Sequence, residues 1–326
     1  MKRRSGPPGF VDELQAALAE GLQGRYAIEE LLGTGGMALV FSGRDLARNR
    51  PVAIKVLNPE IASAVTSARF VREVLLSANL QHPHIVPLLD SGEANGFPYL
   101  VMPLVEGQAL GARLAAQGKL PIATVVKFAT EVALALDYAH GKGIVHRDIK
   151  PDNILISHEY ALVADFGIAR ALGVASGNTL TGPGSPIGTL AYMSPEQVLG
   201  HPDVDGRTDI YSLGCVTYEM LAGRRAFDGT TLREIMEQQM NRQPPPLATL
   251  RTDVPLPLAA AVMRALDKDP ARRQQTARAF ALALGGSVPP PLAADPPASR
   301  SRSGLWLLIA AAVAVVVLSV TLLLRR

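Results

Sequence analysis

The chain has 326 residues, 48% of them hydrophobic, enough for one large folded unit or two small ones. Its net charge of +3 hides an asymmetry, because Lys2, Arg3, Arg4, Arg300, Arg302, Arg325 and Arg326 gather cations at the two ends and leave the body mildly acidic. That distribution argues against a nucleic-acid partner, which needs cations on the folded face, and the single cysteine, Cys215, excludes an intramolecular disulfide.

The basic start has no apolar run behind it, so it is not a secretory signal. Residues 1–10 read as a basic arm broken by Gly6, Pro7, Pro8 and Gly9. Apolar spacing at Val11, Leu14, Leu18 and Leu22 predicts a short amphipathic helix that packs on the next domain or lies on a membrane surface. Residues 26–32 read as a strand ending in Gly33, Thr34, Gly35, Gly36, Met37, Ala38, Leu39 and Val40. Glycines there let a hairpin approach phosphates with its backbone N–H groups facing them, although hairpins also use glycine for twist alone.

Val52, Ala53, Ile54 and Lys55 make an apolar strand ending in a lysine that is costly to bury unpaired. The helix predicted over 66–80 offers Glu73 as its partner; without Lys55, that glutamate would read as an ordinary solvated carboxylate. Asn95-Gly96 marks a hairpin, and residues 99–105 form a strand running into a hinge. A long apolar-periodic helix over 121–140 then delivers the segment His146, Arg147, Asp148, Ile149, Lys150, Pro151, Asp152, Asn153.

Within that segment Asp148 is a candidate base for a hydroxyl proton. Asn153 can offer an amide oxygen to magnesium, a hard cation that prefers oxygen ligands. Lys150 brings positive charge to where phosphoryl oxygens would carry developing negative charge. Asp165, in Asp165-Phe166-Gly167, is a second metal-seeking carboxylate.

Taken together these stretches resemble the protein-kinase superfamily, in its Ser/Thr form because Lys150 follows Asp148 by two. The similarity covers about 26–284 and is nearest to the eukaryotic-like Ser/Thr kinases of bacteria. It implies an α+β, two-lobed protein-kinase fold, with a small β-rich lobe over about 26–105 and a large helical lobe over about 106–284. It also implies roles: Lys55 binds the α- and β-phosphates of ATP, Glu73 holds Lys55, Asn153 and Asp165 hold Mg²⁺ (or Mn²⁺), and Asp148 and Lys150 serve the transfer. The adenine would lie among Leu32, Val40, Ala53, Met102 and Leu155, with the Pro103 carbonyl and the Val105 N–H as hinge contacts. Proline keeps its carbonyl and lacks an N–H, so it suits the first of those positions and would harm the second. Ala38 stands where the pattern has a third glycine, a departure of one methyl group.

The Gly-, Ser-, Thr- and Pro-rich segment between Asp165 and Glu196 is uncommonly long for a loop unless it is functional or disordered, and it resembles an activation loop. Thr179 and Thr181, with Ser185 as a lesser candidate, stand where relatives carry activating phosphates, and Arg147 is the cation to receive one. The resemblance makes Thr189 a platform for Asp148 and Lys150, Asp209 a brace for the catalytic loop, and Arg273 the partner of Glu196.

Residues 285–304 read as a Pro-, Ser- and Ala-rich linker. Residues 305–324 are 20 consecutive positions without a charge; at about 1.5 Å per residue such a helix spans a hydrocarbon core of about 30 Å. Trp306 suits an interfacial anchor, and arginines at both ends leave orientation open by charge alone. The expectation is a single-pass protein of the cell membrane, with its ATP-dependent domain in the cytoplasm, a short basic tail at 325–326 and no extracellular sensor domain. The partners expected are protein substrates bearing Ser or Thr, the membrane itself, and a second copy for trans-autophosphorylation. Two other readings remain: a scaffold that keeps the fold without chemistry, and a kinase for small molecules.

Overall fold

The computed structural model describes residues 10–34, 38–57, 78–166 and 187–288. Five antiparallel strands, β1 (Tyr26–Thr34), β2 (Ala38–Asp45), β3 (Arg50–Leu57), β4 (Asp90–Ala94) and β5 (Phe97–Pro103), form one sheet in the order β1-β2-β3-β5-β4. Asn95 and Gly96, at φ 49° and 85°, make the tight turn between β4 and β5, in the left-handed region that favours this residue pair. β5 begins before Tyr99 and stops at Pro103; one further bond, from Leu104 N–H to the Pro51 carbonyl at 3.4 Å, is not returned because Pro51 has no N–H.

Alternation along β3 sorts the sheet into two faces. Val52, Ile54 and Val56 point to one side and are fully buried with Phe41, Tyr99 and Val101. The covering layer there is helix α1 (Phe10–Gly21), whose Leu14 and Leu18, with Leu22 just beyond, join that same cluster. Each such leucine contributes about 1.5–3 kcal/mol on burial. Gly21 permits the close approach, since a Cβ there would lie 2.9 Å from the Cβ of Ala94. Gln15 donates to the Glu29 carbonyl at 2.7 Å and Asn95 to that of Ala17 at 2.9 Å, tying the middle of the helix to β1 and to the β4–β5 turn. The opposite face carries Ala53 and Lys55, which pair in register with Met102 and Leu100 of β5.

The larger lobe is helical: α2 (Leu110–Gln117), α3 (Ile122–Gly141), α4 (Ile187–Leu190), α5 (Pro195–Val198), α6 (Arg207–Ala222), α7 (Leu232–Asn241), α8 (Leu247–Leu250), α9 (Leu256–Ala265) and α10 (Ala277–Ala283). A small sheet, β6 (Gln108–Ala109), β7 (Ile154–Ser157) and β8 (Tyr160–Val163), lies within it. α6 is buried on nearly every side and touches α3, α8, α9 and α10, as expected of a helix without a solvent stripe. Capping boxes start α5 at Ser194 and α7 at Thr231, each satisfying backbone donors the helix leaves open.

Gly35, Gly36, Met37, Glu73, Thr179, Thr181, Ser185 and the stretch 305–324 lie outside the described residues, as does most of the helix expected over 66–80. Among the described residues no helix is long and apolar enough to cross a membrane.

Candidate active site

α3 ends at Gly141, and the chain turns through Gly143 (φ 75°) into an extended run that closes in a 3-10 turn at Pro151–Asn153. This run brings Asp148, Lys150 and Asn153 together. The Lys150 ammonium donates to both carboxylate oxygens of Asp148, at 3.0 and 2.8 Å, and to Thr189 Oγ1 at 3.3 Å. Asn153 Nδ2 donates to the Asp148 carbonyl at 2.8 Å and to Asp148 Oδ2 at 2.9 Å. Thr189 arrives from α4, more than thirty residues away in the chain.

A second pair lies beside the first. Lys55 on β3 reaches Asp165 Oδ2 at 2.7 Å, with both side chains less than a quarter exposed. Ala164 links the two groups: its N–H donates to the Asn153 carbonyl at 2.9 Å and its carbonyl accepts from His146 Nε2 at 2.8 Å. Asp165 itself sits at φ 68°, a left-handed conformation that aspartate tolerates better than most residues.

The scaffold beneath is polar and buried. Asp209, at the start of α6 and without exposed surface, accepts from His146 N at 2.8 Å, Arg147 N at 2.7 Å and His140 Nε2 at 2.8 Å. These bonds hold Arg147 at φ 70°, the turn that aims Asp148 outward. His146 uses both ring nitrogens: Nε2–H serves Ala164, so Nδ1 accepts from Asp148 N at 3.2 Å. Its ring meets Phe166 edge-on, with centroids 4.6 Å apart.

Burial works against ionisation of Asp165, but the charge and hydrogen bond of Lys55 outweigh it and hold the carboxyl below its usual range. The same balance holds for Asp209, where burial is outweighed by His140 and His146 and by the Arg147 amide. Asn153 spends its Nδ2 on Asp148, which leaves Oδ1 as the atom it can offer a cation; Asp165 spends Oδ2 on Lys55 and keeps Oδ1. Two hard oxygens on neighbouring segments suit a divalent cation that draws its remaining ligands from phosphate and water.

The other expected contacts fall around this centre. Val40 stands opposite Lys55 on β2, Ala53 opposite Met102, and Ala38 at the buried start of β2. Leu155 lies on β7, Pro103 and Val105 follow at the hinge, and all three are half-buried. Leu32, Gly33 and Thr34 form the exposed end of β1. Below the centre, Arg273 donates to Glu196 Oε1 and Oε2 at 2.7 and 2.9 Å. His140 and Gln197, which donates to the Arg147 carbonyl at 2.7 Å, were not singled out in the sequence, and His146 was named there only as the start of its segment, without a role. Their partners lie 18 to 69 residues away, so no local pattern announces them.

The family described as protein kinase domain matches residues 26–281. The serine/threonine-protein kinase PknB of Mycolicibacterium smegmatis is 43% identical over 262 residues, covering 78% of this chain and 42% of its own length. PknB of Mycobacterium leprae is 39% identical over 278 residues, covering 82% and 44%. The chain therefore spans less than half the length of these relatives. Among solved structures, Rad53 1–466 in complex with AMP-PNP superimposes with a TM-score of 0.66 at 26% identity, covering 79% of this chain and 65% of that one.

Proposed function

Because the chain belongs to the protein kinase domain family, we propose that it transfers the γ-phosphoryl group of ATP to Ser or Thr hydroxyls of proteins. The observation that carries this reading is the clasp of Asp148 by Lys150 and Asn153, with Thr189 on its far side and the Lys55–Asp165 pair adjacent. In the transfer, the acceptor oxygen forms a bond to the γ-phosphorus as the bond to the ADP oxygen breaks, and the hydroxyl proton passes to Asp148. Lys150 lies where it can neutralise charge on the moving group, and Lys55 swings from Asp165 to the α- and β-phosphates. Asn153 Oδ1 and Asp165 would hold a divalent cation, magnesium by preference, which when bound neutralises phosphate charge. The acceleration then comes from position and electrostatics rather than from a covalent intermediate.

The adenine site would comprise Leu32, Val40, Ala53, Met102 and Leu155, with Pro103 and Val105 at the hinge and the 33–38 turn over the phosphates. Activation would follow phosphorylation at Thr179 or Thr181, with Ser185 secondary, between two copies of the chain. Residues 305–324 would anchor the protein in the cell membrane with the catalytic domain in the cytoplasm. Such tethering raises effective concentration and favours trans-phosphorylation.

Labelled phosphate incorporation by the full-length chain tests the reading. Lys55→Met and Asp148→Asn should each abolish autophosphorylation. Wild-type incorporation in both variants overturns the assignment.

A further inference from the structure

Gln239, on α7, has no exposed surface and uses every hydrogen-bonding group of its amide. Nε2 donates to the carbonyls of Leu190 and Ala191, at 3.1 and 2.7 Å, while Oε1 accepts from the Tyr211 hydroxyl at 2.5 Å. Carbonyls only accept, so the amide cannot be turned around. Tyr211 in turn accepts from Lys268 Nζ at 2.9 Å, which commits its single proton to Gln239. Lys268 is held by the Gln238 carbonyl at 3.3 Å and by the Phe227 ring, 3.9 Å from its centroid. Donors therefore run one way, from Lys268 through Tyr211 and Gln239 into the backbone at 190 and 191.

Leu190 and Ala191 directly follow Thr189, whose hydroxyl receives Lys150, and Lys150 clasps Asp148. Ser212 separately holds the next carbonyl, that of Tyr192, at 2.8 Å. Gln239 is thus the side chain that fixes the Thr189 end of the segment, from a helix whose other grip on it, among the described residues, is the apolar cluster of Leu190, Met193, Val198 and Ile235. Apolar contact tolerates sliding, whereas a two-carbonyl clamp sets a position to a few tenths of an ångström.

We propose that Gln239 is a positioning residue for phosphoryl transfer: it seats Thr189 against Lys150 through the carbonyls of Leu190 and Ala191, with Tyr211 and Lys268 fixing its own amide. The assignment rests on the kinase reading above.

Full-length Gln239→Met, which keeps length and apolar packing but loses all three bonds, tests it with myelin basic protein as acceptor. Expected is a fall in kcat of about 10- to 100-fold, the size of effect an ångström-scale misplacement produces. KM for ATP and the fraction of molecules binding nucleotide should stay at wild-type values. Tyr211→Phe keeps the ring and should give a smaller fall, and the double variant should match Gln239→Met alone, because both act through one amide. A kcat per nucleotide-binding molecule equal to wild type, with only the melting temperature lowered, overturns the proposal; so do losses that multiply in the double variant. Should Gln239→Met not fold, Tyr211→Phe carries the same comparison by itself. A wild-type chain that phosphorylates neither itself nor myelin basic protein overturns the kinase reading beneath it.

Discussion

Arg273 places its two terminal nitrogens on the two carboxylate oxygens of Glu196, at 2.7 and 2.9 Å, with no exposed surface of its own. Its remaining donors reach the carbonyls of Asp267, Arg207 and Lys268, so the buried cation is fully satisfied. Removing Arg273 leaves Glu196 charged and largely, though not wholly, shielded from water. Arg273→Met should therefore destabilise the fold by about 3–5 kcal/mol, the usual cost of breaking a buried pair. Urea denaturation of the purified chain measures it, and a loss below about 1 kcal/mol, the worth of a surface pair, would contradict the burial seen here.

The same pair gives a pH dependence whose sign is fixed. Burial alone would raise the pKa of Glu196, yet the hydrogen bonds and charge of Arg273 bring it below the usual glutamate value. A depressed folded-state pKa contributes stability above the unfolded pKa, about 4.3, and that contribution disappears as pH falls through the lower folded value. Acid unfolding of the wild type should steepen below about pH 4.3, and Glu196→Gln should lose that part of the slope. Identical acid limbs in the two proteins would refute the coupling.

Lys55 and Asp165 make a second charge-dependent prediction. In Lys55→Met the cation that holds Asp165 ionised is gone while the burial remains. The Asp165 carboxyl should then titrate higher than in the wild type, read from its carbon chemical shift against pH. An unchanged titration would mean the 2.7 Å contact is not what sets its charge.

Asp209 accepts three donors at the base of the catalytic segment. Asp209→Ala strands two buried backbone N–H groups, each costing about 1–3 kcal/mol. The expected result is a lower melting temperature together with loss of labelled phosphate transfer. Retention of both would show that the turn at Arg147 stands without its brace.

Much of this was legible beforehand because the chemistry is concentrated in short runs. The segment from His146 to Asn153 brings base, cation and amide within eight positions, so its backbone alone keeps them close. Periodicity found α1, since Leu14, Leu18 and Leu22 share one stripe. The strand running into the hinge starts two residues earlier than its apolar run suggested, at Phe97, and passes into the hinge after Pro103. What stayed hidden was partnership at long range. Nothing near His140 points to Asp209, 69 residues later, and a glutamine inside a polar-looking helix gives no sign that it clamps carbonyls 48 and 49 residues earlier.

Helix α1 precedes the region shared with the kinase family, which starts at Tyr26. Anyone trimming the gene to that shared region would strip the lid from Phe41, Val52, Ile54 and Tyr99. The bared patch would seek another apolar surface, and the readiest one in a tube of purified protein is the same patch on the next molecule. Dimers counted on such a fragment would record the missing leucines rather than any habit of the intact protein.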